Sequence, residues 1–362
     1  MFDMFVVLLV SIFTLITSLI LTPIYTRLAH RWGIIDEPEP RARRIHEKRM
    51  PTMGGVTIYV SFYLAAFFLL PIPDRQLIPL FTASSLIVLT GIFDDLFELS
   101  PVIKLLGIIS AAVVIYFYGD MALQTMTFPY FGTLSFGALQ FPLTVLWIVG
   151  FTNAINLVDG LDGLASGISM IALTTMGIIG FFFLTIEEVS VSIMIFILVA
   201  AIAGFWPYNF HPASVFLGDT GALFLGFMIG VFSLQGLKNA TLISLVLPIV
   251  IMGIPITDTL FAMIRRKVNK QSIVAADKSH IHHRLMTLGL SHRQAVLAIY
   301  SVSAIFSIIA LLYNFSTLIG SVLLTVFVIV GVLLFVEIIG LVKEDRRPIL
   351  DKLKKFARKL NK

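Results

Sequence analysis

The sequence predicts an all-α polytopic membrane protein of about eleven transmembrane helices, with its N-terminus outside and its C-terminus in the cytoplasm. Three observations carry this expectation. Of 362 residues, 58% are hydrophobic and 13% charged, where a soluble domain is about a quarter charged. Apolar runs of the roughly 20 residues needed to cross a bilayer recur along the whole chain. Twenty-four of the 26 Lys and Arg lie in alternate loops or in the C-terminal tail, and the positive-inside rule makes that side cytoplasmic.

The first run, 4–26, is too long and too poor in upstream positive charge for a cleaved signal peptide, and it lacks an A-x-A end. The loop after it, LAHRWGIIDEPEPRARRIHEKRMPT, carries seven cations if Arg27 is included. Runs 53–70 and 76–93 follow, joined by a turn whose one cation is Arg75. The stretch FDDLFELS separates 76–93 from 101–118, and Lys104 stands just beyond it. Runs 138–152, 163–184, 190–206 and 217–234 come next, with Gly and Pro interrupting the flanks near 138 and 217. Lys238 is the other outer cation; run 241–264 then leads into RRKVNKQSIVAADKSHIHHRLMTLGLSHRQ, with seven more. Runs 295–313 and 316–342 complete the set. The sequence has no 20–50-residue repeat and no low-complexity tract, so residues 1–342 are expected to form a single polytopic membrane domain. Residues 343–362 form a basic tail in which Ile349, Leu350, Leu353, Phe356, Ala357 and Leu360 recur at helical spacing. At about 12 residues this helix is too short to span and suits the membrane interface.

The polar stretches are gathered on the cytoplasmic side. They are the Asp94–Asp95 pair, NAINLVDGLDG (153–163), YNFHPASVFLGDTGA (208–222) and DKSHIHHR (277–284), and all seven His residues lie there too. Asp94, Asp95, Asp159, Asp162 and Asp219 would put five carboxylates around one mouth. Crowded carboxylates call for a cation, or else some stay protonated. Hard oxygen donors favour Mg²⁺ or Mn²⁺, and a chain without Cys offers no thiolate. Mg²⁺ held by one or two carboxylates usually completes its shell with substrate phosphates. The glycines of LGDTG and DGLDGLASG let backbone approach a phosphate, while Lys104, Arg265, Arg266, His282 and His283 could neutralise its charge. The residues point to a metal-assisted reaction on a phosphorylated substrate at the membrane surface.

Each feature also has a plainer use. Asp94 and Asp95 could end a helix and solvate a turn, Asp219 could be the N-cap of the run after it, and NAINLVDGLDG could be an Asx-rich loop. HIHHR could be a solvated cluster or a weak Zn²⁺ site. Asp258 lies about 10 Å inside the membrane from Arg265; an intramembrane Asp is a functional candidate, and pairing with Lys104 would be its structural use. The joint placement of these features on one face weighs against the plainer uses. A transporter or flippase would place charge near the midplane of repeated halves, and a receptor or scaffold leaves the carboxylates without a role.

The motifs PTMGG (51–55), DD (94–95), NAINLVDGLDGLASG (153–167), YNFHPASVFLGDTGAL (208–223), PITDT (255–259) and HIHHR (280–284) resemble, in order, those of the polyprenyl-phosphate N-acetylhexosamine-1-phosphate transferases, glycosyltransferase family 4. The resemblance runs through about residues 20–300. It implies transfer of a sugar-1-phosphate from a UDP-sugar to undecaprenyl phosphate, with Mg²⁺ and release of UMP. HIHHR stands where the phospho-N-acetylmuramoyl-pentapeptide branch carries three consecutive His. It is similar instead to the branch that uses UDP-N-acetylglucosamine (UDP-GlcNAc), most of all to the enzymes that begin wall teichoic acid and related glycopolymers. The pentapeptide transferase reaction remains the alternative.

By motif position, the resemblance makes Asp219 the principal metal ligand. Asp94 and Asp95 would assist the metal or handle the lipid phosphate. Asn156, Asp159 and Asp162 would meet the nucleotide, and Asn209 would support the metal site. His282 and His283 would contact the pyrophosphate, with His280, Arg284 and Lys104 as further substrate-binding residues. The implied partners are UDP-GlcNAc, undecaprenyl phosphate and membrane lipids, with a second copy of the chain as a further candidate and no nucleic acid. A lipid phosphate, with a second pKa near 6, is largely a dianion at pH 7. Direct attack on the sugar-bearing phosphorus is therefore expected over a route through a phosphorylated Asp.

Overall fold

The helical expectation is met over nearly all of the apolar sequence. A computed structural model describes residues 4–36, 49–119, 121–128, 132–183, 189–235, 239–268 and 280–340. The chain divides into two compact units, Met1–Pro248 and Ile249–Lys362. The basic amphipathic tail expected over 343–362, and most of the first basic loop, lie outside the described residues.

In the first unit the helices are α1 (Met4–Trp32), α2 (Gly55–Phe68), α3 (Asp74–Phe97), α4 (Pro101–Tyr118), α5 (Gln140–Val158), α6 (Leu164–Phe183), α7 (Val189–Asn209) and α8 (Gly218–Gln235). α9 (Leu242–Ile251) carries the chain into the second unit, which holds α10 (Gly253–Val268), α11 (Ile281–Thr287), α12 (His292–Tyr313) and α13 (Leu318–Ile339). Eight of the described helices are long and apolar enough to cross a membrane: α1, α3 to α7, α12 and α13. The protein is thus a multi-pass membrane protein.

The remaining apolar runs differ from expectation for local reasons. α2 is 14 residues long, because a Pro-containing turn at 71–73 follows it closely. The single span expected at 241–264 is broken in two at Met252. Pro255 has no N–H to donate back to Ile251, and Gly253 weakens the same turn, so the α-helical ladder cannot run through. The chain is also not wholly helical. β1 (Ile35–Asp36) pairs with β2 (Met50–Pro51), and β3 (Thr125–Phe128) lies between antiparallel β4 (Gly132–Ser135) and parallel β5 (Asn239–Thr241). Both sheets sit in loops, where Thr-rich segments such as TMTF and GTLS favour strand over helix.

α8 is the axis of the first unit. It packs on α2, α3, α5 and α6, and every residue from Thr220 to Leu234 is buried. A helix apolar on all sides belongs in such a place. Its close approach to α2 depends on Gly55, where an added Cβ would collide with the Cα and N of Gly221. The PTMGG segment is zipped to the residues before α8: Phe216 N–H donates to Pro51 O (2.8 Å), Gly54 N–H to Phe216 O (2.9 Å) and Gly55 N–H to Leu217 O (3.0 Å). Two stretches about 160 residues apart in sequence therefore meet at the N-terminus of α8.

Candidate active site

That N-terminus is where the acidic motifs converge. The turn before α8 needs a left-handed residue, and Gly218 supplies it at φ +74°; a side chain there would also meet Asp95 Oδ2 at 2.6 Å. Asp219 and Thr220 follow, with backbone N–H groups that have no partner within the helix. The carboxylate of Asp95, in the last turn of α3, satisfies both. Its Oδ1 accepts from Asp219 N–H (3.0 Å), and its Oδ2 accepts from Thr220 N–H (3.0 Å) and the Thr220 hydroxyl (2.7 Å). The Thr52 hydroxyl, from PTMGG, lies 3.5 Å from Oδ1. Asp95 thus caps a neighbouring helix, and its charge suits the positive end of the α8 dipole.

Asp94 does different work. α3 ends with Glu98 in the left-handed conformation (φ 48°), and Asp94 Oδ1 accepts from Leu99 N–H at 2.9 Å. The plainer use, ending a helix, is therefore real for Asp94, yet its other oxygen forms an ion pair with Lys104. Ser100 and Pro101 start α4 (the Ser100 hydroxyl accepts from Ile103 N–H), which puts Lys104 in its first turn. The Lys104 ammonium also lies 3.4 Å from Asp219 Oδ1, and Asn156 at the end of α5 donates a hydrogen bond to that same oxygen. Asp219 is 35% exposed and Asp94 only 5%. Of the two carboxylates that share Lys104, Asp219 is the more exposed. The partners of Lys104 within its unit are Asp94 and Asp219.

Asp159, just past α5, completes the cluster. Its side chain keeps partial exposure, but the protein packed around its carboxyl pushes its pKa well above the usual carboxylate range, and the charges of Asp219, Asp95 and Asp162 push the same way. A carboxyl whose charged form is disfavoured, first by burial and then by its acidic neighbours, is a site that a divalent cation would relieve.

Asp162 and Asn209 shape the loop that precedes α8. Asp162 Oδ2 accepts from Ala213 N–H (3.2 Å) and lies 2.9 Å from His211 Nδ1. Buried Asn209 accepts from the Ser166 hydroxyl (2.7 Å) and donates to Val215 O (3.1 Å). These two motif residues hold the 208–217 segment in place, and Asn209 has its amide committed to α6 and to that loop.

In the second unit the HIHHR segment opens α11. His280 and His282 are buried, their rings parallel with centroids 5.9 Å apart, and His282 lies 4.2 Å from His283. Burial pushes His282 down to about 3, helped by the charge His283, His280 and His292 would carry; the ring is neutral at pH 7. Arg284 donates to Ile339 O (3.4 Å) and Gly340 O (3.0 Å) at the end of α13. Asp258 in α10 meets His280 Nδ1 at 2.9 Å and accepts from Ile281 N–H at 3.0 Å.

The structure brings Asp94, Asp95, Lys104, Asn156, Asp159 and Asp219 together, and the hydroxyl residues it adds to them stand inside the same motifs. Thr52 is in PTMGG, Thr220 in GDTG and Ser166 in DGLASG, but a hydroxyl in a motif does not declare its partner. The partnership of Asp162 with His211 had no sequence signal beyond the shared cytoplasmic side.

A bundle whose acidic loops meet a lysine at one buried helix N-terminus has the makings of a membrane phosphotransferase site. The family model of glycosyl transferase family 4 matches residues 77–237, a span running from α3 to just past α8. A "probable undecaprenyl-phosphate N-acetylglucosaminyl 1-phosphate transferase" of Bacillus subtilis (strain 168) is 41% identical over 96% of each chain. A decaprenyl-phosphate N-acetylglucosaminephosphotransferase of Mycolicibacterium smegmatis is 32% identical over 75% of this chain and 73% of its own. An undecaprenyl-phosphate alpha-N-acetylglucosaminyl 1-phosphate transferase of Thermotoga maritima is 31% identical over 83% of this chain and 89% of its own. The chain belongs to glycosyl transferase family 4.

Proposed function

We propose that the protein transfers GlcNAc-1-phosphate from UDP-GlcNAc to undecaprenyl phosphate, forming undecaprenyl-diphosphate-GlcNAc and UMP, as the first membrane step of teichoic acid or a related cell-wall glycopolymer. The observation that carries this is Lys104 set between Asp94 and Asp219 at the N-terminus of α8. The names of the relatives in Bacillus subtilis and Thermotoga maritima support the lipid and the sugar.

Asp219 and Asp94 fit a divalent cation, Mg²⁺ or Mn²⁺. Both are hard oxygen donors, and they already converge on one cationic group, the Lys104 ammonium. Such an ion would supply positive charge to the donor pyrophosphate and to the departing UMP. The chain's own groups do the remaining work. Asp95 holds the first turn of α8, and with it Asp219, in place. Lys104 offers a second positive charge to phosphate oxygens. Asn156 fixes the orientation of the Asp219 carboxylate, Asp159 faces the nucleotide, and Asp162 with Asn209 hold the wall formed by 208–217. The motif resemblance assigns His282 and His283 to the donor pyrophosphate. An oxygen of the lipid phosphate forms a bond to the sugar-bearing phosphorus as that phosphorus releases UMP. The attacking group is already a dianion near neutral pH, so positioning and charge neutralisation matter more than a strong base.

The topology follows the charge asymmetry: eleven spans, N-terminus outside, C-terminus and active site cytoplasmic, with residues 1–342 as the catalytic membrane domain and 343–362 as an interfacial tail. The decisive experiment is UMP release by the purified full-length protein from UDP-GlcNAc. It should require both undecaprenyl phosphate and Mg²⁺. Release without lipid, or a phospho-enzyme trapped before lipid is added, would overturn the direct reaction. Turnover only with UDP-N-acetylmuramoyl-pentapeptide would move the chain to the pentapeptide branch.

A further inference from the structure

We propose that Asp258 is a positioning residue: its buried carboxylate clasps the first turn of α11 and thereby sets where His282 and His283 are presented. α11 has seven residues, far fewer than a helix needs to hold itself together. Its N-cap, His280, makes no side-chain capping bond of its own, so the helix is fastened from outside. Asp258 is 1% exposed and spends both oxygens on this one turn, Oδ1 on Ile281 N–H and Oδ2 on His280 Nδ1. A carboxylate at that depth in an apolar helix is costly unless its oxygens are used.

The geometry carries the constraint onward. His280, fixed by Asp258, stacks parallel to His282, and His282 packs on His283. At the other end Arg284 ties α11 to the last carbonyls of α13. Asp258 therefore governs the start of a helix whose far end is held independently, and the two histidines lie between those anchors. Its role in catalysis rests on the assignment of His282 and His283 to the donor pyrophosphate; its structural role does not.

The test compares Asp258→Ala with Asp258→Asn in the full-length protein in lipid nanodiscs. Asn keeps an oxygen for Ile281 N–H and offers an amide N–H to His280 Nδ1, so it preserves the clasp without the charge; Ala removes it. Amide exchange over 280–288 should rise about tenfold or more in Asp258→Ala and stay near wild type in Asp258→Asn. KM for UDP-GlcNAc should rise about tenfold in the Ala variant. KM for undecaprenyl phosphate should be unchanged, kcat should stay within about threefold, and Asn should recover most of the loss. If Asp258→Ala does not insert, His280→Ala, which removes one arm of the clasp, should raise exchange and KM in the same directions. Unchanged exchange in both Asp258→Ala and His280→Ala, or an Asn variant whose KM for UDP-GlcNAc rises as much as that of the Ala variant, would overturn the proposal. Raised exchange in a protein whose wild type releases no UMP would sustain the clasp and sink the proposed reaction.

Discussion

Asp95 and Asp219 are adjacent in space, and replacing each by Asn should separate two kinds of damage. Asp219→Asn removes a charge from the more exposed carboxylate while keeping its shape. Asn156 can still donate to the remaining oxygen and Lys104 keeps Asp94 as its partner, so the loss of the Lys104–Asp219 attraction should lower the thermal midpoint only slightly. Turnover should fall by about three orders of magnitude or more, a barrier increase of about 4 kcal/mol. Asp95→Asn inverts this pattern. One oxygen still receives Asp219 N–H, but the new NH₂ group faces Thr220 N–H donor against donor, while the Thr220 hydroxyl can turn to accept from it. The unmade bond costs about 1–3 kcal/mol, and the lost charge at the α8 N-terminus adds about 0.3–1 kcal/mol. The protein should be destabilised by about 2–3 kcal/mol, and turnover should drop about 10- to 100-fold as Asp219 loses its setting. The assays are thermal unfolding of the purified protein and UMP release at saturating lipid and Mg²⁺. An Asp95→Asn protein that melts like wild type yet is as inactive as Asp219→Asn would refute the division of roles. So would near-normal turnover of Asp219→Asn.

Four further outcomes are expected. Cys placed at the exposed Glu98 should react with an impermeant thiol reagent from the cytoplasmic side alone; labelling from outside would reverse the topology. Gly55→Ala should destabilise the protein by about 2–3 kcal/mol through overlap with Gly221, and wild-type melting would show that α2 and α8 can part without cost. His282, with a folded pKa of about 3 against 6.5 for an unperturbed ring, favours a folded state that binds fewer protons than the unfolded one. Its contribution is intact above pH 6.5 and is lost as pH falls toward 3, about 2 kcal/mol between pH 7 and 5; an unfolding curve just as pH-dependent in His282→Asn would contradict this. Deleting 346–362 should leave most of the activity, with altered stability or lipid dependence, and complete loss in an inserted protein would place the tail in the active site.

The sequence made the helices and the acidic cluster legible, because both announce themselves by composition and local spacing. Apolar runs gave most helix positions to within a few residues. Asp94, Asp95, Asp159, Asp162 and Asp219 were gathered by the charge rule alone. What stayed hidden was how each carboxylate is used. Asp94 and Asp95 are neighbours in sequence, yet one closes its own helix beside Lys104 and the other reaches across to cap α8. No pattern on α3 distinguishes them, since the difference lies in which partner stands opposite. The break at Met252 was legible in GIP in principle, but a strongly apolar run outweighed one proline. The strands at 125–128 and 239–241 depend on pairing between segments over a hundred residues apart.

The two acidic residues that carry most structural load follow one rule. Asp95 belongs to α3 but caps α8; Asp258 belongs to α10 but caps α11. In water, the free N–H groups of a helix start can be satisfied by solvent, and a neighbouring carboxylate adds little. Where the capped residue is buried, as Thr220 and Ile281 are, there is little water to do so, and each unmet N–H costs about 1–3 kcal/mol. A carboxylate from another helix then becomes the least costly cap, and it fixes the relation of two helices as well as ending one. In both cases the capped turn bears the residues assigned to phosphate chemistry, Asp219 on α8 and the histidines on α11. The same hydrogen bonds that make these helix starts tolerable therefore hold the assigned groups rigid before substrate arrives. That preorganisation is what a reaction limited by positioning and charge, rather than by proton transfer, requires.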